Sequence, residues 1–227
     1  MTAGTTSSID VTTNTLTISG AGANTTGSLT KIGAGGLTLS GANAYTGATT
    51  VSAGTLTLGA SNVLASASTV VVNGGTFNIS NRSNTVAGVQ LASGSITGTT
   101  GVLTSTTAYD VQSGTVSAIL AGGVGLNKTT SGTVTLSGDS TYTGTTTISA
   151  GTLQLGNAGT TGSVTGNIVN NAALTFSRSN ALTYAGVISG RDQRPRLAQQ
   201  EWRRHADADG GQHLHRWDDD QRRHAGA

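Results

Sequence analysis

The chain of 227 residues has no cysteine, a single proline, 4% aromatic residues and 10% charged residues. Each shortage excludes something. Without cysteine there are no disulfide staples, no thiolate metal ligands and no thiol nucleophiles. Charge this sparse does not suit a disordered polyelectrolyte, which needs high charge and few β-branched residues. No apolar run approaches the length of a membrane-spanning helix. The opening residues MTAGTTSSID carry neither a basic region nor an apolar stretch, so no signal peptide is expected in this chain.

The shortages are unevenly spread. Residues 1–190 contain no His, Glu, Trp or Pro, and their charges are Lys31, Arg82, Lys128, Arg178, Asp10, Asp110 and Asp139. Residues 191–227 hold eight Arg, seven acids, all four His, both Trp and the one Pro. The net charge of +2 and the pI near 9.3 therefore partly reflect the tail. They are no ground for expecting nucleic acid on the body.

What is abundant is Gly, Thr, Ser, Ala and Asn, with Val, Ile and Leu between them. β-branched residues favour pleated strands, and Gly supplies the corners. The segment GGLTLSGANAYTGATTVSAGTLTLG (35–59) returns as GTVTLSGDSTYTGTTTISAGTLQLG (132–156), a constant offset of 97 residues with 17 of 25 positions identical. A shorter period lies beneath it. An apolar position at Val11, Ile32, Val51, Val72, Leu91, Val111, Thr129, Ile148 and Val169 is followed three residues later by a corner. That corner is Asn14, Gly35, Gly54, Gly75, Gly94, Gly114, Gly132, Gly151 and Ala172. A second apolar position follows at Leu16, Leu37, Leu56, Phe77, Ile96, Val116, Val134, Leu153 and Leu174. Steps run from 18 to 21 residues.

Alternation of period two makes each piece a short strand with one inward face. A glycine between two such strands suits a corner with positive φ, and Asn tolerates the same region. One rung of about twenty residues cannot bury its own inward face, but stacked rungs can. The sequence thus predicts an all-β fold: a right-handed, single-stranded parallel β-helix (β-solenoid) of about nine rungs. At about 4.8 Å per rung the rod is on the order of 40 Å long. A β-sandwich is the competing fold, and it has no need of one Gly-centred motif nine times.

The stretches LTKIGAGGLTLSGANAYTGATTVSAGTLTLG (29–59) and LNKTTSGTVTLSGDSTYTGTTTISAGTLQLG (126–156) resemble the autotransporter-associated β-strand repeat of bacterial type V passenger domains. The resemblance implies a β-helical stalk at the surface of a Gram-negative cell, or secreted, passing through an outer-membrane barrel during export. It implies that barrel as a partner, absent from this chain, and makes residues 1–190 a passenger fragment.

Chemistry is hard to place on the body. Asp10 and Asp110 fall just before the first apolar position, five rungs or about 24 Å apart. Paired glycosidase carboxylates stand within about 10 Å. Asp139 replaces Ala42 of the first copy, in a turn. Without His, no Ser–His–Asp triad is available. GAGG (33–36) and NGG (73–75) lack the GK[ST] of a phosphate loop. Calcium-binding rolls need Asp after the glycines. No catalytic, cofactor or metal residue is predicted, and the chain is read as no enzyme. Tyr45 and Tyr142 hold matching places and are either exposed stacking platforms for a surface ligand or packing residues at a corner.

The tail contains HLHRWDDD (213–220), which looks like a metal site. Read one base out of frame, with codons compatible with the stated residues, the stretch from about Glu201 spells SGGDTLTLTGANTYTGGTTTNAGTLG. Residues 191–227 are therefore expected to be a frameshifted, disordered repeat and the metal motif accidental. An uncapped solenoid end then predicts self-association. Three roles follow: a structural stalk that aids passenger folding, an adhesin-type module for host or neighbouring cells, or, last, a β-helical lyase or protease.

Overall fold

A computed structural model describes residues 4–190. Within them there is no helix, and the strands pair in parallel throughout. The alternating pieces form short strands that stack rung on rung into a parallel β-solenoid of about nine turns. The reading of residues 191–227 as a frameshifted tail falls outside the described residues.

Each turn contributes to two long ladders. The first ladder runs through Thr6–Asp10, Ser28–Ile32, Thr49–Val51, Thr69–Ser80 and Gly88–Gly98. It continues through Tyr109–Val111, Leu126–Lys128, Thr146–Ile148 and Ile168–Asn170. The second runs from Thr15–Ile18 through Gly36–Leu39 and Thr55–Leu58 to Ala173–Arg178. Strands Thr69–Ser80 and Gly88–Gly98 are long enough to belong to both, so the two ladders form one sheet. A third side is thinner. Asn84–Val86, Val102–Ser105 and Ile119–Ala121 make a three-stranded sheet, and Gly22, Asn43 and Leu64 pair there as isolated bridges.

The register corrects the rung positions in both ladders. In the first ladder the inward column is Ile9, Lys31, Val51, Val72, Leu91, Val111, Lys128, Ile148 and Asn170. Lys31, Lys128 and Asn170 replace Ile32, Thr129 and Val169 as the residues that point inward, and Ile9 replaces Val11. Rung length therefore varies more than the apolar pattern indicates, from 17 residues (Val111 to Lys128) to 22 (Ile148 to Asn170). In the second ladder Leu37, Leu56, Phe77, Ile96 and Val116 stack as expected, but Val116 then pairs with Leu136, not Val134. Val134 pairs with Gly114. A two-residue slip keeps every side chain on its own face, whereas a one-residue slip would turn the core outward.

The core is one continuous apolar column from Leu29 to Ile168. Thr49 and Thr146 are fully buried in it.

Candidate functional site

The columns between rungs are the part of this molecule that carries specific chemistry. The corner column is the simplest. Asn14, Gly54, Gly94, Gly114 and Gly151 have positive φ, from 60° at Asn14 to 121° at Gly114. Gly35, Gly75 and Gly132 do not; in the first two of those rungs the left-handed residue is Gly33 or Gly74. There glycine is needed for space. A Cβ on Gly35 would lie 2.7 Å from the Asn14 carbonyl, and one on Gly75 2.7 Å from Val51 Cγ1. Each rung thus lays its corner against the backbone of the rung before it.

Tyr45 and Tyr142 are not surface platforms. Both are buried, at 1% and 0% exposure. Each phenol pairs with a buried threonine four residues on, Tyr45 Oη with Thr49 Oγ1 at 2.7 Å and Tyr142 Oη with Thr146 Oγ1 at 2.6 Å. A buried hydroxyl needs a partner, and the repeat supplies one within itself. Tyr109 packs its ring against Tyr142, with centroids 5.9 Å apart.

The residues that sequence reasoning missed are Lys31 and Lys128. Both are fully buried. Lys31 Nζ donates to the carbonyls of Ile32 (2.6 Å), Gly33 (2.7 Å) and Ala53 (3.3 Å). Lys128 Nζ donates to the Thr130 carbonyl, to Thr130 Oγ1 (3.4 Å) and to the Ala150 carbonyl (3.1 Å). The lysines, the Gly33/Thr130 and Ala53/Ala150 carbonyls and the Tyr–Thr pairs repeat at the 97-residue offset. The signal was visible: these are the only two lysines of the chain, and they hold equivalent places.

The acids are dispersed. Asp110 lies in the column of Gln90 and Asn127, and its Oδ2 accepts from Gln90 Nε2 (2.7 Å) and Gln112 Nε2 (3.0 Å). Asp10 pairs with Ile32, two positions along from the Asp110 column, which runs back through Val71, Thr50 and Thr30 to Ser8, so the two acids do not share one place in the rung as their sequence context suggests. Asp139 Oδ1 accepts from Gly162 N (3.0 Å) and Ser163 Oγ (2.8 Å), and stands 3.8 Å from Arg178 Nη1. It ties the loop after Thr152–Gly159 to the preceding turn.

Burial shifts the ionisable core in two directions. Desolvation raises the phenols of Tyr45, Tyr142 and Tyr109, the last to about 12. Desolvation lowers both lysines, with Asp10 pulling Lys31 partly back. Between the lowered lysine values and 10.5 the unfolded chain holds more protons, so stability rises with pH. Above pH 10 the folded chain holds more protons on tyrosine, so stability falls again towards about 12. Urea midpoints measured from pH 7 to 12 are expected to peak near pH 10; a steady fall from pH 8 would contradict this.

Two segments of this solenoid, residues 29–58 and 126–155, match the passenger-associated-transport-repeat family. The chain therefore carries repeats found in autotransporter passengers. A 49-residue stretch is 65% identical to the adhesin BmaC autotransporter of Brucella suis biovar 1 (strain 1330), covering 22% of this chain and 1% of that protein. The chain thus matches only a small part of that relative's length. No solved structure matches the chain.

Proposed function

We propose that this chain is a non-catalytic stalk segment of an autotransporter passenger, displayed at or released from the surface of a Gram-negative cell, whose rungs add in order as the passenger is exported. The observation that carries the reading is the uninterrupted core column from Leu29 to Ile168, crossed at equal offsets by the Lys and Tyr–Thr contacts of the two repeats. Each rung contacts chiefly its neighbours, so the stack can grow from one end without waiting for distant segments. Low local charge and the wide spacing of Asp10, Asp110 and Asp139 support a structural role over hydrolysis.

The adhesin-type reading rests on the name of the relative and on the Thr/Asn-rich outer faces. Excision of one 97-residue unit (residues 39–135) from a displayed passenger separates the two. A stalk loses length and keeps export and adhesion. Loss of adhesion with export intact would instead make these rungs the binding module. Hydrolysis abolished by a point substitution in the body would overturn both.

A further inference from the structure

We infer that Lys31 and Lys128 are inter-rung latches, each keeping the open edge of the stack hydrated until the following rung docks and accepts its ammonium. This deepens the stalk reading, but the latch is a property of the chain itself and stands or falls without export.

Both lysines sit in a column that is otherwise apolar in the interior of the stack, at Val51, Val72, Leu91, Val111 and Ile148. Among the described residues the one ion pair is Arg178 with Asp139, so neither ammonium is neutralised by a paired carboxylate. Asp10, in the preceding rung, acts on Lys31 only through space. The polar contacts point one way. Each Nζ bonds its own corner, Lys31 the Ile32 and Gly33 carbonyls and Lys128 the carbonyl and hydroxyl of Thr130, and one carbonyl of the next rung, Ala53 or Ala150. The stem is then covered by the next residue of the column, Val51 or Ile148.

Before that next rung is present, the ammonium faces water and one acceptor is missing. An inward-pointing charge on an open edge opposes pairing with a foreign strand. Docking becomes favourable only for a rung that presents a carbonyl at the corner. A strand slipped by one residue would bury the charge without an acceptor, at a cost of several kcal/mol. The latch therefore both protects the unfinished edge and selects the register of its continuation.

The chain has two lysines, so amine acetylation read by mass spectrometry reports each latch separately. In the native full-length chain both ε-amines should react far more slowly than in the denatured chain. Gly151→Val places a Cβ 2.3 Å from the Gly132 carbonyl and 2.5 Å from that of Thr130, opening the Lys128 corner. It should speed Lys128 acetylation about tenfold or more and leave Lys31 unchanged. Gly54→Val, which meets the Gly35 and Gly33 carbonyls at 2.3 and 2.5 Å, should do the converse. Gly114→Val breaks an interface further upstream, against the Gly94 carbonyl, and should leave Lys128 protected. As a second measure, Lys128→Met should raise hydrogen exchange about tenfold at Leu126 and Ser149, whose amides bond the Thr145 and Lys128 carbonyls across that interface, while Tyr109, bonded to the Gly125 carbonyl on the other side, stays protected. Native lysines that react like free amines, equal exposure of both lysines in the glycine variants, or symmetric exchange on the two sides of Lys128→Met would each overturn the latch.

Discussion

Gly94→Val is expected to cost about 3–5 kcal/mol and lower the thermal midpoint by about 10–15 °C. The residue has φ of 91°, where a β-branched side chain is strained, and its Cβ would stand 2.2 Å from the Gly75 carbonyl oxygen. That oxygen belongs to a backbone fixed by its own pairing, so it cannot move aside as a flexible side chain could. The strain and the overlap add, because relieving one by shifting the corner breaks the ladder bonds beside it. Gly123→Ala is the matched control. An added Cβ there meets nothing within 4 Å, and φ is not in the left-handed region. Its midpoint should stay within about 1 °C of the parent. Equal effects from the two substitutions would show that glycine serves the corners by entropy alone.

Tyr109→Ala is expected to cost about 5 kcal/mol, and Tyr109→Phe about 2. Tyr109 Oη lies 2.6 Å from the carbonyls of both Leu103 and Ala121 and accepts from the amides of Ser105 and Ala121, each at 3.1 Å. With one proton it donates to one carbonyl at a time while joining two successive turns of the thin third side. That side has only three short strands, so a phenol reaching across the core supplies bonds its backbone does not make. Removing the oxygen strands buried amides; removing the ring also opens a cavity beside Tyr142. Urea midpoints of the two variants separate the polar part from the packing part. A Phe variant as stable as the parent would mean that water replaces the hydroxyl.

The solenoid was legible because period-two alternation recurs nine times around a corner that is glycine in seven of the nine rungs, and no globular fold needs that repetition. The inward residue of four rungs was not: Ile9 takes the place of Val11, and three polar residues take the other places. Apolar patterning selected Ile32, Thr129 and Val169, because a lysine or asparagine reads as a surface residue. The register instead turns Lys31, Lys128 and Asn170 inward. For the two lysines the reason is energetic and local: corner carbonyls converge on the ammonium and compensate its desolvation. Tyr45 and Tyr142 were ambiguous for a related reason. Only the structure places Thr49 and Thr146 in the core as partners for their hydroxyls. The slip at Val116 left no trace in the sequence, because a two-residue shift preserves alternation.

The stack itself is tested most directly by small-angle X-ray scattering on the chain with residues 39–135 excised. The cut joins Thr38 to Leu136, which follows its equivalent Thr135 in the second copy. It removes the five rungs at Val51, Val72, Leu91, Val111 and Lys128. The expected result is a folded rod of unchanged cross-section, shorter by about 24 Å. A particle that shrinks in every dimension, or that unfolds, would contradict a rung-by-rung solenoid.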